Sequence, residues 1–439
     1  MDTAEISGGK STRTAAPVHV AGLGGPLSGT RGVPLSVPLP FLLTGVGAAA
    51  LFGLLLPWVG PFALIAPGFP HVLALVHVAT LGWLTMTIMG ATMQLSPVIL
   101  VTPLHAARLV RWQYPVYLTG VLLLVSGFWW AQNALLIVGG SIVVLAVTHY
   151  VIIMSATLAH ATTRPLTARY LMASLIYLCV VVSLGLTAAL NFQFDFLGPN
   201  ADHLLLAHIT LGLVGWLTTT LIGVSYTLVR MFALAHEHDD RYGRAIFVLI
   251  NAGVLLLAAG FAFSLGLVVA LGAATLIVGA WLYGYDYLRM LRARRRKLLD
   301  VTQRHSIAAT AYLMLLIALG AVAALTGWHG EPVLVALVLL ALVGWLGQST
   351  IGYLYKIVPF LIWNTRFGPF VGQKKVPLMR DLLHERWSLA SWWLINLGLP
   401  LAALSALLNI PLALSIAACA LGGGLALAAA NVAGAALRR

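Results

Sequence analysis

Five histidines stand where their chemistry is hard to ignore. His71 and His77 open one long apolar segment, His203 and His208 open another, and His329 precedes a third. A neutral imidazole is the usual protein ligand for heme iron and for copper, and an ionisable side chain within an apolar span is a functional hypothesis by default. Helical geometry limits the combinations. His71 and His77 differ by roughly 240° around a helix and about 9 Å along it, and His203 and His208 by about 140°. Neither pair closes on one ion from a straight helix, so a site takes one histidine from each segment. His77 stands five residues before Gly82 and His208 seven before Gly215. These glycines are equivalent (below), so the two imidazoles share a depth, and His77 with His208 is the expected metal or heme pair. His71, His203 and His329 sit where a histidine meets water or headgroups. The histidines toward the cytoplasmic side, His105, His149, His160, His236, His238, His305 and His384, are expected to be solvated or interfacial, and the run His236–Asp240 to be a solvated loop.

The elements that must position this pair announce themselves by repetition. One phrase occurs three times: Gly82-Trp83-Leu84 with Thr87 and Gly90, Gly215-Trp216-Leu217 with Thr220 and Gly223, and Gly344-Trp345-Leu346 with Ser349 and Gly352. The copies are 133 and 129 residues apart. A fixed period of this kind marks internal repetition. Small residues mark contact faces between helices in lipid, so the second, sixth and tenth segments, which carry the phrase, are expected to be the inner, closely packed ones. Trp83, Trp216 and Trp345 would wall the site or fill the helix interface.

Hydrophobic residues form 60% of the 439-residue chain and charged residues 8%. Apolar runs of about 20 residues read as membrane-spanning helices. Twelve are expected, at about 41–64, 71–100, 113–131, 133–158, 169–191, 203–232, 245–266, 268–290, 306–327, 332–362, 390–409 and 411–436. The fold class is all-α: a polytopic membrane protein of three parallel four-helix repeats about a pseudo-threefold axis. An even number of helices per unit gives every repeat the same orientation, unlike inverted-repeat transporters. The domains expected are a disordered tail at 1–38 and repeats at 39–160, 161–300 and 301–439.

The net charge of +13 invites a nucleic-acid reading, but its placement excludes one. Arg108 and Arg111, Arg164 and Arg169, Arg241 and Arg244, the run Arg292–Lys297, and Arg366 to Arg386 all follow even-numbered segments, whereas the alternate loops hold only Asp195, Asp202 and Glu331. Cationic loops stay in the cytoplasm, which predicts an inner-membrane protein with both termini cytoplasmic and a basic run at 292–297 against anionic lipid. The tail lacks the apolar stretch of a signal peptide. Cys179 and Cys419 belong to no metal-type spacing and are read as packing residues. Asp286 is expected to pair with Arg289, and Lys356 to snorkel to the inner interface or to meet an acidic group.

Twelve segments in three sets of four, both ends inside, with histidines near the outer ends of the second and sixth, resemble the large subunit of the heme-copper oxidases, nearest its cbb3-type and nitric oxide reductase branches. The stretch from His77 to Trp83 looks like that family's heme-ligand segment, and the segments 223–226 and 353–360 look like those of short oxidase-like relatives. The resemblance covers about residues 40–437. It implies a heme, of the b type, or copper, at His77 and His208, with Trp83 and Trp216 beside it, and a role in electron transfer, heme or metal handling, or gas sensing, beside respiratory-chain or assembly subunits. It also shows what is missing. Leu337 and Leu339 stand where active members place two histidines, 245–266 holds no copper-ligating histidine, and Gly212 replaces a tyrosine. No oxygen or nitric oxide reduction by the family's binuclear centre is expected. The rival readings are a cofactor-free transporter or channel on the same scaffold, and a structural or assembly subunit.

Overall fold

The computed structural model describes residues 33–105, 107–235, 238–295 and 298–438. Most of the predicted tail, together with His236, Glu237, Arg296 and Lys297, lies outside them. The chain forms twelve long helices with no strand among the described residues. They are α1 (Pro38–Val59), α2 (Pro70–Ile99), α3 (Ala107–Trp129), α4 (Asn133–Ala159), α5 (Leu166–Phe194), α6 (Gly198–Ala233), α7 (Arg241–Ala262), α8 (Gly266–Arg292), α9 (Val301–Thr326), α10 (Glu331–Arg366), α11 (Glu385–Leu407) and α12 (Pro411–Leu437). Eleven are long and apolar enough to cross a bilayer; α3 is the exception, diluted by Trp112, Gln113, Tyr114 and Pro115. In hydrocarbon each backbone amide must find its partner within the protein, which a helix provides. Local signals set the ends. Pro38 and Pro411 open α1 and α12, Asp300 and Gln303 form a capping box at α9, and Gly327, at φ 69°, closes that helix.

Burial separates the helices into two populations. In the most apolar stretches of α2, α6 and α10, 72%, 61% and 78% of residues are buried, and no other span exceeds 50%. The three helices that carry the repeated phrase are therefore the inner ones. The outer helices expose large apolar side chains such as Leu54, Leu122, Leu145 and Leu267, as a surface facing lipid tails would.

Each copy of the phrase also has the same backbone form. Val78–Thr85, Leu211–Thr218 and Leu340–Gly347 are π-helical, with the Gly-Trp pair at the same place in each. The wider turn closes with bonds from residue i to i−5, such as Thr219 N–H to Val214 O and Gln348 N–H to Val343 O. Such segments inside α-helices are frequent at functional sites. The glycines face one partner in each case. Gly82 and Gly90 lie against Ala48 and Phe41 of α1, Gly215 and Gly223 against Tyr177 and Tyr170 of α5, and Gly344 and Gly352 against Tyr312 and His305 of α9.

The tryptophans tie one copy to the next. Trp216 Nε1 donates to Thr85 Oγ1 at 3.0 Å, and Trp345 Nε1 donates to Thr218 Oγ1 at 3.0 Å. Both threonines stand three residues past the phrase's first glycine. The matching residue of the third copy is Gly347, which has no hydroxyl. Trp83 packs its ring on that glycine, and its buried N–H has no partner. Tyrosines repeat the pattern. Tyr150 bonds Thr92 and rests edge-on to Trp216, while Tyr283 bonds Ser225 and rests edge-on to Trp345. Between α12 and α1 contact is made by backbone instead: a Cβ on Gly53 would fall 2.7 Å from Gly422 Cα.

Candidate functional site

His77 is the last α-helical residue of α2 before the π turn. Its Nδ1 lies 2.7 Å from Leu73 O, one turn back. A carbonyl oxygen only accepts, so Nδ1 carries the ring proton and Nε2 keeps a bare lone pair. The ring stacks on Phe128 of α3 at 4.8 Å, and Phe128 meets Phe192 of α5 edge-on at 6.2 Å.

His208 reaches the same state by another route. Its Nδ1 donates across to Val181 O of α5 at 3.0 Å, which again leaves Nε2 bare. Gly185, one turn along α5, makes room for the ring; a Cβ there would fall 3.0 Å from His208 Cε1. Both imidazoles are half-buried and lie within electrostatic reach of one another. His77 reaches α5 through Phe128 and Phe192, and His208 packs on α5 directly, each just ahead of a π-helical segment. Two nitrogen lone pairs, each on a ring oriented by a second hydrogen bond, are the arrangement found in metal-ligating histidines. No group of three or more histidine, cysteine or acidic side chains suited to a metal occurs among the described residues. The two bare Nε2 atoms could each supply one nitrogen ligand, one from each helix.

The remaining outer histidines serve elsewhere. His71 lies between Phe69 and Trp129, at 5.1 and 4.6 Å between ring centres. His203 Nε2 meets Ser264 Oγ at 3.0 Å, and His329 is exposed. Trp83 and Trp216 lie in the inner helix interface, against Phe52 and Gly347 and against Thr85 and Tyr150 respectively.

Three of the histidines expected to be solvated or interfacial are not fully so. His238 is buried, with Nε2 3.1 Å from the carboxylate of fully buried Asp286. Tyr226 Oη and Arg289 complete that carboxylate's surroundings at 3.0 and 3.2 Å. The physical cause is Asp286 itself, because a carboxylate that far from water must be paired. His305 is fully buried against Gln348, and His149 bonds buried Gln113 at 2.7 Å. Lys356 meets an acidic group, Asp300, at 2.8 Å. Cys419, expected to be a packing residue, is exposed. In the loop after α6, Asp239 accepts the Arg241 backbone N–H at 2.9 Å and faces Arg289 at 3.4 Å. The backbone bond, helped by that guanidinium, holds its carboxyl below the ordinary range. Tyr226 at a recurring tyrosine position, with an isolated acid in α8, was the signal that could have located the Asp286 cluster.

No protein-family model matches this sequence, and no curated protein matches it.

Proposed function

We propose that this is an integral membrane protein built on the scaffold of the heme-copper oxidase large subunit, holding a single heme between His77 and His208. Three parallel four-helix repeats surround a pseudo-threefold axis, with the third-to-first seam closed by glycine packing. The recurrence of the π-helical segment, and of the tryptophan–threonine bond from each repeat to the one before it, supports that arrangement. The positive loops support a cytoplasmic-membrane location with both termini inside.

The observation that carries the cofactor reading is the tautomer. Both imidazoles have Nδ1–H committed to a backbone carbonyl, and both offer Nε2. A structural histidine in an apolar span would gain from bonding both ring nitrogens. Phe128 and Phe192 give the pair an apolar, aromatic flank, and Gly185 leaves room for the His208 ring. A heme with two imidazole ligands supplies one-electron transfer. The chain's part is to hold both rings in one tautomer and to flank them with Phe128; His77 and His208 would be the residues that hold the group. The function proposed is thus electron transfer or heme handling rather than gas reduction.

The test is the absorption spectrum of protein purified with heme supplied, beside His77→Ala and His208→Ala. A Soret band with a low-spin, two-imidazole signature, altered by either substitution, is expected. Copper at one equivalent without heme would make the site a copper site. A spectrum without heme bands and no bound metal would remove the proposal.

A further inference from the structure

The helix that carries the third copy of the phrase has no histidine, yet its repeat has a buried imidazole of its own. His305 of α9 faces Gly352, the seat that Phe41 takes opposite Gly90 and Tyr170 opposite Gly223. Its partner Gln348 stands four residues past Gly344, where the other copies have Met86 and Thr219. Phe41 and Met86 are apolar, and Tyr170 and Thr219 each bond a backbone carbonyl; in the third copy the two positions bond each other.

The polarity of this pair is set from its far end. Asn396 Nδ2 donates to Trp392 O at 2.7 Å, so Asn396 Oδ1 faces Gln348 Nε2 at 2.8 Å. Gln348 then has its amide oxygen left for His305 Nδ1. An amide oxygen cannot donate, so Nδ1 is protonated and Nε2 is a bare acceptor. That Nε2 is buried and has no partner. Tyr355 Oη is likewise buried without one, on a ring 5.6 Å from the imidazole. The Ser388 and Ser391 hydroxyls of α11 lie within weak hydrogen-bonding reach of that phenol, without the geometry of a full bond. Ser388 continues to Asn431, and Asn431 to the backbone of His384 at the exposed end of α11.

Two orphaned polar atoms on rings 5.6 Å apart call for a further partner, since buried polar groups are rarely left unpaired. We propose that His305 Nε2 and Tyr355 Oη hold a buried water, forming a hydrated, proton-accepting site in the third repeat that exchanges with the face bearing His384. A space filler would explain the ring but not the relay of amides that fixes its tautomer. A buried water typically makes about three hydrogen bonds; the imidazole, the phenol and a serine hydroxyl supply them. Of the charged groups on and before α9 and on this part of α10, Asp300 and Lys356 are paired at 2.8 Å and Arg304 is exposed, and at the start of α11 stand His384, Glu385 and Arg386. None of these bonds Nε2. The site is separate from His77 and His208 and does not depend on what they bind.

The experiment is solid-state NMR of the full chain in lipid bilayers with 15N-labelled histidine. His305→Phe, which installs the ring found at Phe41, assigns the signal by its loss. The expected wild-type result is a protonated Nδ1, an unprotonated Nε2 and a cross-peak from Nε2 to water. Tyr355→Phe should keep the tautomer and lose the water contact, and Gln348→Leu should lose the tautomer preference. Where His305→Phe does not fold, the signal that responds to both other variants is the assignment. An Nε2–H tautomer in the wild type, or no water contact there, overturns the proposal.

Discussion

The bonds between copies of the repeated phrase allow a test with a built-in control. Trp83, Trp216 and Trp345 are all buried and nearly equivalent in setting. The second and third donate to threonine hydroxyls at 3.0 Å, and the first donates to nothing. Replacing each by Phe removes similar ring volume from each site, but a hydrogen bond from two of them only. Such a bond contributes about 0.5–1.5 kcal/mol net, and interhelical bonds in membrane proteins average about 0.6 kcal/mol. Trp216→Phe and Trp345→Phe should therefore cost more than Trp83→Phe by about 0.6–1.5 kcal/mol. Thr218→Val keeps the shape and strands the buried Trp345 N–H, at about 1–3 kcal/mol. Adding Trp345→Phe should recover part of that loss, because no donor then remains. Reversible unfolding in mixed detergent micelles, arranged as a double-mutant cycle, measures the coupling. A coupling of zero at both threonines, or Trp83→Phe as costly as the other two, would refute the reasoning.

Other consequences are equally direct. Gly422→Val places a Cβ 2.7 Å from the carbonyl carbon of Gly53, which is backbone and cannot step aside. Thermal unfolding should show an overpacking loss of about 1–3 kcal/mol, while Gly423→Val, with open space at its Cβ, should be neutral. His238→Ala strips one partner from buried Asp286 and should destabilise by about 1–3 kcal/mol, since Tyr226 and Arg289 stay; adding Asp286→Leu should restore part of the loss, and an unchanged midpoint for His238→Ala would contradict the burial. Asp239 has a depressed folded-state value, so its contribution is present above the ordinary carboxylate range and is lost as the pH falls through the folded value. Stability followed from neutral into acid pH should decline less steeply in Asp239→Asn than in the wild type.

Much of the architecture was legible because apolar length and a recurring phrase are direct physical signals. Twelve segments, the inner rank of α2, α6 and α10, and the contact role of the paired glycines all follow from lipid chemistry acting on small and apolar residues. The π-helical turns were not legible, since nothing in Gly-Trp-Leu distinguishes an i−5 bond from an i−4 bond without its packing partners. Nor was the broken bond at Gly347: a sequence shows that threonine is missing at that position but not that a tryptophan from the first copy lies against it. For the site, depth and helix assignment singled out His77 and His208 as the pair to compare. The tautomers could not be read, because Val181 O comes from a helix 27 residues away in sequence. His238 and His305 were misjudged for one reason. Position near a helix end suggests water, and only the fold shows that Asp286 and Gln348 stand in its place.

The central claim is that His77 and His208 together hold one metal centre. Quantitative metal and heme analysis of protein purified from its native membranes, with His77→Ala and His208→Ala prepared alongside, tests it most directly. One iron and one heme per chain in the wild type, with loss of most of it in either variant and an unchanged helical fold, is the expected result. Wild-type protein with less than a tenth of an equivalent of any transition metal, or a full equivalent that survives both substitutions, would contradict it.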